Sequence, residues 1–277
     1  MKEHRIVALM DQLFKRNNIK ITGKGSKWIM FVHGYGCDQS MWRFMLPYFE
    51  NDFKVMLIDL VGSGNSDKSC YDFKKYAHLE MYAEDIIEII KELNIYPCLF
   101  IGHSVSAMIG LLASIIQPEL FSAMVMIGPS PCYINVDDYL GGFAKDDIDE
   151  LMDTLDRNYM GWSAMMAPKI IGDDSKVELI AEMENRFCIN QPDIAKHFAK
   201  VTFFSDNRKD LHKLNIPALL IQSAQDFLVP AEVRQYLKSK IVRSKEVLID
   251  TMGHCPHLTA PLPTSSAILE FIHLIGY

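Results

Sequence analysis

Closely spaced cysteines are missing from this sequence. The six it has, Cys37, Cys70, Cys98, Cys132, Cys188 and Cys255, lie far apart, without the C-x-x-C spacing of a zinc site or the dense framework of a small secreted domain. They read as reduced thiols, and the expected compartment is the cytoplasm. Long apolar runs are missing too. The longest near-apolar run, Val105 to Ile116, falls well short of the ~18 residues that cross a bilayer. Near the N-terminus only five apolar residues, Ile6 to Met10, separate Arg5 from Asp11, too few for a signal-peptide core. No membrane is expected as a partner. Positive charge is in deficit, with 28 Lys and Arg against 35 Asp and Glu for a net charge of −7. No basic block reverses this locally, so nucleic acid is not an expected partner either. With 15 Gly and 12 Pro in 277 residues, a low-complexity or collagenous chain is excluded. At roughly 150 residues per domain, the length fits one large domain or a domain carrying an insert.

Short apolar, β-branched or aromatic runs recur at Trp28 to Val32, Val55 to Asp59, Cys98 to Gly102, Met124 to Gly128, Ala218 to Gln222 and Glu246 to Asp250. Each has the length and composition of a buried strand. Helical periodicity lies between several of them, most clearly at Ala77 to Asn94, where Leu79, Ala83, Ile86, Ile90 and Leu93 recur at three- and four-residue steps. Strands alternating with helices predict an α/β fold with a mostly parallel central sheet flanked by helices. The alternation stops between Pro131 and Leu214. A first helix there, after Asp146 and Asp147, would carry Ile148, Leu151, Met152, Leu155, Tyr159 and Trp162 on one face. Further helices are expected over Lys176 to Phe187 and Pro192 to Phe204. The lid methionines Met152, Met160, Met165, Met166 and Met183 are an adaptable surface suited either to packing or to lining a pocket. The expected organisation is a core over residues 18–130 and 215–277, an inserted helical lid over 131–214, and an N-terminal segment over 1–17. Lys2 to Arg16 has an amphipathic pattern through Ile6, Leu9, Met10, Leu13 and Phe14.

The most informative stretch is Cys98 to Met108, CLFIGHSVSAM. A buried strand runs into small residues around Ser104 and then into an apolar helix from Ala107 to Ile116, the setting of a G-x-S-x-G nucleophile elbow, with Ser106 in place of the last glycine. A serine needs a base, and the base an orienting acid. Asp226 follows the strand Ala218 to Gln222, and His254 follows the strand that ends at Asp250, so both stand at strand C-terminal ends, where open α/β sheets gather their sites. The order Ser104, Asp226, His254 is that of α/β-hydrolases. His257 competes with His254 for the base, and Asp206 and Asp250 compete with Asp226 for the acid. His254 is favoured by its neighbour Gly253, and Asp226 by the strand before it. The glycines of His33-Gly34-Tyr35-Gly36 can turn backbone amides outward. The amides of Tyr35 and Val105 are the candidate oxyanion donors, and His33 reads as a loop anchor. Val61-Gly62-Ser63-Gly64-Asn65-Ser66 lacks a nucleotide-binding ending and reads as a tight turn. His254, Cys255 and His257 share one loop without a distant fourth ligand, so neither a metal nor any other cofactor is expected. Pocket candidates are Tyr133, Phe143, Tyr159, Trp162 and Phe203.

These stretches, taken with Asp59-Leu60-Val61-Gly62-Ser63-Gly64, Gly128-Pro129-Ser130-Pro131, Tyr139 to Phe143, Ser205-Asp206-Asn207-Arg208 and Gly253-His254-Cys255-Pro256-His257-Leu258, resemble the RsbQ-like branch of the α/β-hydrolase superfamily, which groups with the plant strigolactone and karrikin receptors. The resemblance spans nearly the whole chain from about Asn18. It implies a four-helix lid over a mainly hydrophobic pocket, a Ser104, Asp226, His254 triad, and hydrolysis of a small hydrophobic ester, lactone or similar acyl compound. It also implies positive regulation of the energy-stress (sigma-B) response with a PP2C-type, RsbP-like partner phosphatase. The alternatives are a carboxylesterase without signalling and a receptor-like binder with little turnover. Two residues depart from the branch: Tyr35 stands where relatives commonly have Phe, and Ser106 matches the plant receptors.

Overall fold

The computed structural model describes residues 10–277. Ile6 and Leu9 of the expected amphipathic segment lie outside the described residues. Residues 10–16 are helical, with Leu13 buried and Phe14 half-buried against the core.

The sheet contains β1 (Lys20–Thr22), β2 (Lys27–Val32), β3 (Phe53–Ile58), β4 (Cys98–His103), β5 (Phe121–Ile127), β6 (Ala218–Gln225) and β7 (Ser244–Met252). Their order across it is β1-β3-β2-β4-β5-β6-β7, parallel throughout except for β1, which pairs antiparallel with β3. The six expected strands are present. The edge strand β1 was not expected, because Lys-Ile-Thr offers three residues with one exposed apolar side chain and no periodicity to read.

Burial of both faces explains the continuous apolar runs. Met30, Val32, Phe100 and Met124 face one core, shared with α1 (Leu79–Glu92) and α2 (Val105–Ile116), whereas Ile29, Phe31, Leu99 and Val125 face the other. Between β5 and β6 the chain forms α3 (Lys145–Arg157), α4 (Tyr159–Ile171), α5 (Val177–Ile189) and α6 (Pro192–Phe203). The single helical face expected from Ile148 through Trp162 is divided. At Asn158 the backbone leaves the helical region (φ −146°, ψ 77°), and its side-chain oxygen accepts from the Gly161 amide to cap α4. Next come α7 (Ala231–Lys240), the short α8 (Pro256–Thr259), and α9 (Pro261–Leu274), which covers the second core with Ile268, Phe271 and Ile272. Among the described residues no helix is long and apolar enough to cross a membrane.

Candidate active site

Ser104 sits between β4 and α2 with φ 55° and ψ −122°, a left-handed strained backbone that non-glycine residues adopt only where the surroundings enforce it. The enforcement is visible. Its amide donates to the Ile127 carbonyl at 2.8 Å. Gly102 and Gly110 let α2 ride against β4: a Cβ on Gly102 would stand 2.6 Å from the Ser106 carbonyl oxygen, and one on Gly110 would stand 2.3 Å from the Phe100 ring. Ser106, at the motif's last position, is fully buried, and its hydroxyl donates to the His33 carbonyl. The departure from glycine thus adds a tie between the elbow and the loop after β2.

That loop carries Gly34 and Tyr35. A Cβ on Gly34 would lie 3.2 Å from Ser104 Cβ and 2.5 Å from His103 Nδ1, so the backbone passes directly beside the elbow. His33 is buried, and the Leu60 amide donates to its Nε2 at 3.0 Å. Its Nδ1–H therefore faces the Gly34 carbonyl at 2.8 Å, and burial lowers its pKa and keeps it neutral. The Tyr35 and Val105 amides donate to no other group among the described residues, and Val105 opens α2, where the first amides have no intrahelical acceptor.

His254 lies across from Ser104. Its Nε2 is 2.8 Å from Ser104 Oγ, and its Nδ1 is 2.7 Å from Asp226 Oδ2. The carboxylate accepts, so the ring proton sits on Nδ1 and the Nε2 lone pair receives the serine hydroxyl. The other oxygen of Asp226 accepts from the Leu228 amide at 2.8 Å. The loop holding the imidazole is pinned from two sides: the Gly253 amide donates to Gln225 O at 2.8 Å, and the His254 amide donates to Ile170 O at the end of α4 at 2.7 Å. Gly253 has φ +86°, and any Cβ there would strike the Ile171 carbonyl.

The competing residues stand elsewhere. His257 is fully buried against Trp42, with ring centroids 4.6 Å apart, and burial together with the neighbouring His254 and Arg43 pushes its pKa down to about 3. Asp206 pairs with Arg208 at 2.6 Å, and Asp250 is exposed on β7. Asp59, at the head of the glycine turn, accepts from the amides of Gln39 and Asn65, both at 2.8 Å, which makes that turn a structural anchor.

A model of the alpha/beta hydrolase family matches residues 29–267. The chain belongs to that family. It is 40% identical over 264 residues to "Karrikin insensitive 2 receptor IA" of Petunia hybrida, covering 95% of this chain and 96% of the relative. It is 37% identical to "Strigolactone esterase D14" of Arabidopsis thaliana, covering 94% and 95%. A solved hydrolase from Oleispira antarctica superposes with a TM-score of 0.93 at 45% identity, covering 95% of this chain and 97% of that one.

In this alpha/beta hydrolase the lid helices pack closely around the serine. The cavity at Ser104 is about 30 Å³, room for one or two waters. Tyr133, Trp162 and Phe203 line it; Phe143 and Tyr159 do not. Phe143 packs on Phe227 at 5.5 Å on the outside, and the Tyr159 hydroxyl donates to the Phe187 carbonyl at the end of α5 at 2.6 Å. Of the lid methionines, Met166 and Met183 reach the cavity, whereas Met160 and Met165 are exposed. Ile170, Phe187, Thr202, Leu228, Cys37 and Cys255 complete the wall and were not foreseen. The spacing of Trp162, Met166 and Ile170, four apart, was the available signal for α4.

The Tyr35 ring also faces the cavity, but its hydroxyl donates to the Ala195 carbonyl of α6 at 3.1 Å, tying lid to core. Arg186 of α5 adds an ion pair to Asp38 at 2.6 Å. Burial opposes the Asp38 charge, but hydrogen bonds from Ser40 and the Arg186 guanidinium outweigh it and hold the pKa below the usual value. The Tyr133 hydroxyl stands 3.4 Å from Ser104 Oγ, and burial pushes its pKa up to about 12, which keeps it a donor.

Proposed function

We propose that the protein is a serine hydrolase acting on a small hydrophobic ester, lactone or similar acyl compound. The observation that carries this reading is the continuous hydrogen-bonded chain Asp226, His254, Ser104 at 2.7 and 2.8 Å, buried beneath an apolar lid. In the reaction Ser104 Oγ attacks the substrate carbonyl as its proton passes to His254 Nε2. Asp226 stabilises the imidazolium and holds its tautomer. The developing oxyanion is met by the Tyr35 and Val105 amides, donors free to turn toward it without breaking existing bonds. His254 then returns the proton to the leaving oxygen, and water, activated by the same imidazole, releases the acyl group. The cavity wall, Trp162, Met166, Ile170, Met183 and Phe203, favours an apolar acyl or ring moiety. The name "Strigolactone esterase" of one relative supports the reaction class. A serine-directed fluorophosphonate is expected to label the folded protein at Ser104 and to block p-nitrophenyl acetate hydrolysis in proportion. Folded protein that neither turns over the ester nor takes the label would overturn the reading.

We infer as a second reading of the same site that occupancy rather than turnover is reported to a partner. One relative's name, "Karrikin insensitive 2 receptor IA", supports it. The RsbQ-like resemblance gives the partner as a PP2C-type phosphatase of the sigma-B energy-stress pathway in the cytoplasm. On this reading a phosphatase from the host gains activity when the protein is added and loses that gain with Trp162→Ala. A phosphatase indifferent to the protein would remove the signalling role.

A further inference from the structure

Directly behind the nucleophile lies a group of side chains that the proposed hydrolysis does not use. His103, the residue before Ser104, Cys255, the residue after His254, and His257 are 2%, 0% and 0% exposed. One ligating atom from each stands within 4.8 Å of the other two. His103 Nε2 is 2.9 Å from the His254 carbonyl, to which it donates, and 3.9 Å from Cys255 Sγ. Among the described residues, His103 Nδ1 and both nitrogens of His257 have no hydrogen-bond partner. Folded interiors rarely leave buried imidazoles without partners, because desolvation is then uncompensated. Each neutral ring carries one lone pair, and the two ring centroids are 4.5 Å apart. The His103 nitrogen that faces Cys255 is Nε2, so to bind a metal it gives up its bond to the His254 carbonyl and its proton passes to Nδ1. The sequence offered only the one-loop set His254, Cys255 and His257. The fold replaces His254, whose ring is held by Ser104 and Asp226, with His103 from β4.

We propose that His103, Cys255 and His257 bind a thiophilic divalent ion of the Zn²⁺ class, and that its binding switches the adjacent serine off. Two imidazoles and one thiolate are ligands that suit such an ion. A fourth position can be filled by water from the cavity, which His103 and Cys255 border. On binding, the sulfur–metal bond forms and the thiol proton leaves to solvent. Zinc ligands at ~2.0–2.3 Å from one ion lie closer together than these atoms do, so capture draws them inward. His103 and Cys255 are covalent neighbours of Ser104 and His254, so this contraction displaces the serine and imidazole relative to each other. The inhibitory half rests on the proposed hydrolase activity; the binding half does not.

The test uses the full chain, stripped with chelator and titrated with Cd²⁺ alone, with the ultraviolet thiolate-to-metal absorption followed. One equivalent per chain is expected to produce the band and Zn²⁺ to bleach it. The band is expected to vanish in Cys255→Ala, to survive in Cys37→Ala, and to need at least about tenfold more Cd²⁺ in His257→Gln. Should His257→Gln fail to fold, the two cysteine variants decide. A band retained by Cys255→Ala, or no stoichiometric binding, overturns the site. Ester hydrolysis is expected to fall along the same Zn²⁺ titration curve, and stoichiometric binding without loss of turnover overturns the switch while leaving the hydrolase reading intact.

Discussion

Ser104→Ala is expected to lower ester hydrolysis by at least ~10⁴-fold, with His254→Ala comparably damaging, because nucleophile and base act as a unit and removing either removes the shared proton transfer. Asp226→Asn is expected to cost about 10⁴-fold in kcat. An amide can turn its NH₂ toward His254 Nδ1, which forces the ring proton onto Nε2 and leaves Ser104 Oγ, 2.8 Å away, without an acceptor for its proton. The informative comparison is His257→Ala. It opens a void beside Trp42 and destabilises the fold, but the folded fraction is expected to stay within about tenfold of the parent in kcat/KM, since the ring makes no hydrogen bond to the reacting groups. The measurement is kcat/KM on p-nitrophenyl acetate, normalised to the folded fraction by circular dichroism. If His257→Ala were the inactive protein and His254→Ala the active one, the assignment of the base would be wrong. If Ser104→Ala kept its rate, the hydrolysis would belong to another group.

Much of the fold was legible because its signals are local. A parallel strand buried on both faces has to be apolar at every position, as in Ile29 to Val32 or Leu99 to Ile101. Ser104, Asp226 and His254 could be picked out because each follows such a run, and parallel strands deliver their C-terminal ends to one edge. In the structure the three stand in hydrogen-bonding reach. What could not be read depends on contacts distant in sequence. The apolar spacing of Leu155, Tyr159 and Trp162 continues across the break at Asn158, so periodicity alone hides it; the cap from Asn158 to Gly161 was the clue. Aromatic identity suggested Phe143 and Tyr159 for the pocket, yet identity does not say which side of a lid helix turns inward. In the sequence Ser106 shows only as a departure from the motif's last glycine, because its acceptor, the His33 carbonyl, lies 73 residues away in the chain.

The elbow also predicts a large effect on stability at a residue that touches no substrate. Phe100 is fully buried on β4, two residues before Gly102, and meets Phe121 edge-on at 6.1 Å. Its ring occupies the space that Gly102 and Gly110 leave open between strand and helix. Phe100→Ala is expected to cost about 3–5 kcal/mol, a fall in Tm of roughly 6–20 °C for a chain of this size. It should also slow fluorophosphonate labelling, because α2 loses the surface that holds Ser104 at φ 55°. Gly110→Ala puts a methyl 2.3 Å from that ring and is expected to cost about 1–3 kcal/mol through overpacking. The two defects are opposite in sign of volume and adjacent in space. The double variant Phe100→Leu/Gly110→Ala should therefore be more stable than the sum of its single variants by roughly 0.5–3 kcal/mol, the range of couplings between contacting residues. Denaturant unfolding of the parent, Phe100→Leu, Gly110→Ala and the double variant measures this coupling, and strict additivity would mean that helix and strand are not held by this contact.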